Sequence, residues 1–444
     1  MNRRVVITGL GVATPLGIGI DPVWEALLAK GCGLKPVEAF DASGLASTIG
    51  GEIPNFKVTD YVPKSYRKSA KVMSRDIEIA LACACEAVRN AGLKTKCLVE
   101  RGEAEGPPNV DSTRFGANIG AGLICADLSE LAGALATAQD PPGSFSLKRW
   151  GREGMENLTP LWLLKFLPNM LACHVTIVHD AQAPSNTITC GEASSHLAIG
   201  EAFRTVARGA ADVCICGGAE SKINPMGFAR QQLLGRLATR SGEDGSRACR
   251  PFAADRDGIV ASEGGGLVIL ESLDHATARG ARIYAELVGF GASANTHSWR
   301  EPDPQGRGIA QAMRAALRDA GIAVDQVGLI GAFGSGTRHH DASELAAWRD
   351  VLGDRAGRIP AIAIKGAIGN NGAGSGAIEF AVLTMALHQK TVLPSLNTTP
   401  PDPSGSLKFV HDDPIDARAD VAVSVSYALS GGQNAALVVR RFER

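Results

Sequence analysis

Aromatic residues make up only 5% of the 444-residue chain, and its ten cysteines form no Cys-x-x-Cys pair. The first scarcity argues against a Tyr- and Trp-rich recognition surface. The second removes the commonest zinc and dithiol spacing. Neither sign of charge is in excess: 45 Lys plus Arg face 46 Asp plus Glu, a formal net charge of -1. Such a chain has no global field for wrapping nucleic acid or an anionic membrane. The longest apolar stretch, 161–178, is broken by Lys165, Pro168, Asn169 and His174, so no membrane span is expected. Gly9, Gly11, Pro15 and Gly17 interrupt the run after Arg3 and Arg4 too early for a signal peptide, and that stretch reads as a first strand and turn. The Cys-x-Cys pairs Cys83/Cys85 and Cys214/Cys216 lie inside apolar runs. They fit buried, reduced thiols in a cytoplasmic protein better than metal ligands.

What is plentiful is glycine, with 52 residues, against a background of 45% hydrophobic and 20% charged residues typical of a globular chain. The glycines mark an internal duplication. Gly9-Leu10-Gly11, at the end of an apolar run, is echoed by Gly289-Phe290-Gly291. The segment 115–122 is echoed by 329–336, and Thr189-Cys190-Gly191 with its following small-residue helix by Lys365-Gly366 and 374–381. Three correspondences in the same order predict two similar halves, 1–275 and 276–444, about a pseudo-two-fold axis. Between the strands, 71–91 and 309–320 carry apolar residues at helical spacing and end at Gly92 and Gly321. Alternating strands and helices predict an α/β fold with buried sheets. The segment 137–163, with Pro141-Pro142-Gly143, reads as a surface cap inserted in the first half, and 234–256 as a loop rich in Arg, Ser and Gly.

Neither of two tempting cofactor patterns holds. Gly9-Leu10-Gly11 lacks the third glycine and the later acidic residue of a dinucleotide fingerprint. His339-His340-Asp341 would send adjacent side chains to opposite faces of an extended segment, which makes joint metal ligation awkward. No metal and no cofactor is therefore expected.

Over nearly its full length the chain resembles the β-ketoacyl-acyl carrier protein synthases of the elongating group, members of the thiolase superfamily. The residues that carry the likeness are the run Arg4 to Gly11 with Thr14-Pro15-Leu16-Gly17, and Gly217-Gly218-Ala219-Glu220. They continue through Pro251-Phe252, Asp255-Arg256-Asp257-Gly258, Ser262-Glu263-Gly264, 285–291, and Gly431-Gly432 with Asn434. The resemblance implies a five-layered α/β/α/β/α fold built from two duplicated halves. It also implies acyltransferase chemistry with an acyl carrier protein, and a homodimer or heterodimer whose subunits pair near the strand entering the nucleophile turn. That chemistry needs a thiolate at a helix start and two imidazoles beside the malonyl thioester.

The same resemblance puts Glu192 where the nucleophilic cysteine belongs, Phe333 and Asn370 where the two histidines belong, and Ser430 at an aromatic gate. Lys365, Asp341, Glu344 and Glu379 stand at the supporting polar positions, and Cys190, Ser430, Lys365 and Glu344 are expected around the substrate pocket. A carboxylate cannot store an acyl chain as a thioester, and Phe333 offers no proton. The helix dipole draws Glu192 toward ionisation while burial opposes it. Whether the chain is itself an enzyme stays open among three readings. It is a silent partner of an active ketosynthase, like the chain-length factors of polyketide and polyene assembly, an altered acyl-carrier enzyme (decarboxylase, hydrolase or acyltransferase) using Glu192 or Cys190, or a binding or scaffold protein unrelated to acyl chemistry that keeps a stable fold. Arg67, Lys68, Lys71, Arg204 and Arg208 are possible contacts for an acidic carrier protein.

Overall fold

The fold was read from a computed structural model, which describes residues 3–141, 143–240, 245–405 and 407–443; Pro142 of the expected cap lies outside them. Its main sheet has twelve strands. They are β1 (Val5–Thr14), β2 (Gly17–Ile18), β3 (Phe115–Ala121), β4 (Ser185–Ile188), β5 (Val213–Ser221), β6 (Glu263–Ser272), β7 (Ala285–Ala294), β8 (Leu329–Gly331), β9 (Pro360–Ile362), β10 (Lys408–Phe409), β11 (Val421–Tyr427) and β12 (Gln433–Arg441). From its centre the sheet runs β1-β6-β5-β3-β4 in one direction and β7-β12-β11-β8-β9-β10 in the other. Each arm begins antiparallel and turns parallel at its third step. The arms meet through three residue pairs, Val5↔Leu287 to Ile7↔Ala285. The duplicated thiolase-like fold is thus visible in the strand order itself.

The repeated glycines have a matching physical cause. Both β1 and β7 change register at the first glycine, between Ile7 and Gly9 and between Leu287 and Gly289. A Cβ on Gly9 would lie 2.3 Å from the Ala87 carbonyl oxygen, and one on Gly289 would lie 2.3 Å from that of Ala316. The glycines let α1 (Arg75–Asn90) and the later helix Arg307–Ala320 press backbone to backbone on the two sheet arms. Both helices lie within a few residues of the expected bounds, and Gly321 closes the second in a left-handed conformation.

Two further helices, α2 (Ser194–Ala207) and the helix Ser375–Gln389, follow β4 and β9 and form the middle layer. The second is buried along Ser375–Leu387 on every face, as a helix enclosed by the two arms of the sheet must be. The expected cap, 137–163, is an exposed excursion after the helix Leu128–Thr137: a short hairpin of Gln139–Asp140 and Ser144–Phe145, then short turns leaving Phe145, Leu147 and Leu161 open. Among the described residues no helix is long and apolar enough to cross a membrane.

Candidate functional site

The turn between β4 and α2 holds Glu192, the residue that the sequence resemblance puts at the nucleophile position. Gly191 adopts a positive φ of 55°, and α2 starts three residues later, so Glu192 sits where a chain leaving the sheet becomes helix. Its backbone carbonyl accepts the Ser426 hydroxyl at 2.8 Å. Its side chain is 93% hidden from solvent but not isolated: Lys222 Nζ donates to Oε1 at 3.0 Å and the Leu429 N–H donates to Oε2 at 3.1 Å. Burial pushes this carboxyl up, but the Lys222 ammonium and the Leu429 N–H outweigh it and hold it at about 2. In the contest between burial and ionisation the largest pull toward ionisation comes from Lys222, a lysine beyond the turn. Burial disfavours the Lys222 ammonium, yet Glu192 and Glu220 more than compensate and raise its pKa.

Glu192 and Lys222 form part of the wall of a cleft of about 410 Å³ that also includes Glu220, Arg230, Arg236 and Ser430. This lies within the size range of small-molecule sites, roughly 300–1,000 Å³. Glu220 is buried, takes the Ala373 N–H at 2.7 Å and faces Arg230 at 4.0 Å. Ser430 lines the cleft and accepts Arg236 Nη1 at 2.7 Å. Of the residues expected around the pocket only Ser430 lines this cleft; Cys190, Lys365 and Glu344 do not. The Cys190 thiol is half-buried, and burial pushes it up, away from the thiolate a nucleophile needs.

Phe333, Lys365, Glu344 and Glu379 form a second, wholly buried group. The Phe333 ring packs on Tyr427 at 4.6 Å between centroids, and Lys365 Nζ lies 3.3 Å from the ring centroid. Lys365 also donates to the Phe333 carbonyl at 2.7 Å and pairs with Glu379, whose carboxyl burial pushes up against the pull of Lys365. Glu344 takes the N–H groups of Phe333 and Gly334, each at 2.9 Å, and the Tyr427 hydroxyl at 3.0 Å. Asp341 takes the Phe252 N–H at 2.8 Å and the Ser335 hydroxyl at 2.7 Å. Packing explains why these lie off the cleft: they fasten the Phe333 turn from behind.

Asn370 is buried, accepts the Gly372 N–H at 2.9 Å, and leaves Nδ2 without a partner. The nearby imidazoles are buried too. His196 shares a hydrogen bond with Ser424 at 2.8 Å and is pushed by burial to about 3, as a core histidine would be. His340 stacks parallel to Tyr427 and is pushed to about 4, mainly by burial. Both are therefore uncharged imidazoles near neutrality. Among the described residues no cluster of His, Cys, Asp and Glu could hold a metal ion.

Comparison with known proteins agrees with this architecture. The family model described as "Beta-ketoacyl synthase, N-terminal domain" matches residues 2–276, and its C-terminal counterpart matches residues 284–399. The chain belongs to the β-ketoacyl synthase family. It is 34% identical over 443 residues to the 3-oxoacyl-[acyl-carrier-protein] synthase 2 of Synechocystis sp., covering 100% of this chain and 99% of that protein. It is 33% identical over 443 residues to the Coxiella burnetii protein of the same name, covering 99% of each. Two solved structures each superpose with a TM-score of 0.83 at 27% identity, covering 100% of both chains. One is a type II polyketide synthase acyl-carrier protein in complex with its ketosynthase bound to the hexaketide, the other the ishigamide ketosynthase/chain length factor.

Sequence reasoning missed Lys222, Arg230 and Arg236. Lys222 had a usable signal: it follows Glu220 by two residues at the end of β5, where alternation brings both to one face. Arg236 had none, because it lies in an irregular segment that only the folded chain brings to Ser430.

Proposed function

We propose that this ketosynthase-family chain does not condense acyl groups by itself and acts as the chain-length-factor-type partner of a cysteine-bearing ketosynthase in fatty-acid or polyketide assembly. The observation that carries this reading is the Glu192–Lys222 pair. At the turn from which a thiolate would attack, the electron pair is on a carboxylate held near pKa 2, a weak nucleophile and a weak base. The Leu429 N–H, a donor that could stabilise an oxyanion, is already taken by that carboxylate. At the aligned imidazole positions stand Phe333, packed in the core, and Asn370, which does not titrate near neutrality.

Partner recognition follows from the same fold. Among the described residues strand β4, which leads into the Glu192 turn, pairs in the main sheet with β3 alone and leaves its other edge open. A second ketosynthase-type subunit extends the sheet there and covers the exposed cap residues. The exposed basic segment with Arg67, Lys68 and Lys71 suits the acidic helices of a carrier protein. Arg204 is partly engaged, pairing with Asp319 at 2.8 Å.

Purification of the chain alone and together with a cysteine-bearing ketosynthase and carrier protein tests the reading through malonyl-dependent elongation. The expected result is no acylation and no elongation by the chain alone, with elongation restored or lengthened in the pair. Acylation and condensation by the isolated chain would refute it.

A further inference from the structure

Arg236 is an unusual residue in the cleft. Its side chain is 93% hidden, yet no carboxylate among the described residues lies within 4.0 Å of it. Its N–H groups go to neutral acceptors: the Ser430 hydroxyl at 2.7 Å, the Arg300 carbonyl at 2.9 Å and the Leu429 carbonyl at 2.5 Å. Glu192 and Glu301 act on it only through the longer-range field, and burial lowers its pKa despite them. A buried guanidinium without a counter-ion is costly unless an anion joins it. None of the carboxylates around it is free to do so: Glu192 is tied to Lys222, Glu220 is occupied by the Ala373 N–H and faces Arg230, and Glu301 turns to His339 at 3.1 Å and Arg300 at 4.0 Å.

We infer that the cleft binds a monoanionic carboxylate, the charged end of a short acyl chain, against Arg236 and Ser430. This deepens the reading above and rests on it for the acyl character of the ligand. Three cations, Lys222, Arg230 and Arg236, share the cleft with two carboxylates, Glu192 and Glu220, so the wall carries one uncompensated positive charge. A carboxylate cancels that charge, and one of its oxygens suits a further Arg236 N–H beside the Ser430 hydroxyl. A phosphate dianion would leave excess negative charge beside Glu192 and Glu220. Leu123, Pro168 and Leu234 line the same cleft and supply an apolar surface for the chain behind the carboxylate.

Isothermal titration calorimetry on the full-length chain with hexanoate, hexanamide and inorganic phosphate tests the assignment. Hexanoate is expected to bind at one site, and hexanamide to bind about tenfold or more weakly because it lacks the charge. Arg236→Met is expected to remove the preference for hexanoate, and Arg236→Lys to keep part of it. Equal binding of hexanamide and hexanoate would overturn the inference, as would an unaltered preference in Arg236→Met or, should that variant not fold, in Arg236→Lys. Tighter binding of phosphate than of hexanoate would replace the carboxylate with a phosphate-bearing ligand and overturn it equally. The two proposals fail separately. Condensation by the isolated chain sinks the partner-subunit reading even if hexanoate binds, whereas elongation that needs a partner, with no charge-dependent binding, sinks only the carboxylate site.

Discussion

Replacing Lys222 by Met is the sharpest perturbation of this site, because it removes a charge and leaves the apolar stem. Glu192 has its pKa held at about 2, against an ordinary value of 4.5. At about 1.4 kcal/mol per pH unit, that depression corresponds to about 3 kcal/mol of native-state stability at neutral pH. The lower end of the cost of breaking a buried ion pair, roughly 3–5 kcal/mol, agrees. Lys222→Met is therefore expected to lose about 3 kcal/mol at pH 7 in urea denaturation. The contribution of Glu192 depends on pH with opposite sign in the two proteins. In the wild type the contribution of Glu192 is fully present above 4.5 and is lost as pH falls from 4.5 toward 2. In the variant the unpaired buried carboxyl has its pKa raised, so acid relieves its penalty and the gap to wild type narrows. The double variant Glu192→Gln/Lys222→Met removes both charges and is expected to recover most of the loss. A single variant within about 0.5 kcal/mol of wild type at pH 7, or a double variant no more stable than the single, would refute the claim that the pair is what keeps Glu192 ionised.

Other consequences can be checked on the same preparation. Asp76 is buried beside Glu220 and pushed up to about 8, mainly by burial, so the native state keeps a proton that the unfolded chain releases near 3.8. Stability conferred by that proton falls as pH rises toward 8, and Asp76→Asn should gain on wild type by about 2–3 kcal/mol between pH 6 and pH 8 in urea titrations. Gly9→Ala would force a Cβ to 2.3 Å from the Ala87 carbonyl oxygen, and Gly289→Ala does the same at Ala316. Each should cost about 1–3 kcal/mol or more in denaturation experiments, equal penalties reflecting the duplicated packing. Cys190→Ala should leave folding and partner-dependent elongation unchanged, since its thiol is pushed up by burial; loss of elongation in a folded variant would return that thiol to the chemistry.

Much of the architecture was legible before folding, for reasons that can be named. The glycines at 9, 11, 289 and 291 are required wherever helix backbone meets strand backbone, so the duplication left a mark in the residue string. The alternation of short apolar strands with helices ending at Gly92 and Gly321 is local, governed by a few neighbouring dihedrals. The family motifs put Glu192 at the turn, and its being an acid was evident at once.

Its protonation, its partner and the ligand it faces were not. Those depend on distances between segments far apart in the chain: Glu192 to Lys222, Leu429 to Glu192, Arg236 to Ser430. Burial and charge proximity set a pKa, and neither is a property of a residue's immediate neighbours in sequence. Residue identity alone determined the family and placed an acid, Glu192, where the resemblance puts the nucleophile. Only the tertiary structure decided that the acid is locked to a lysine and that an arginine nearby is left without a counter-ion, because both outcomes arise where β5, α2 and the loop after β11 converge.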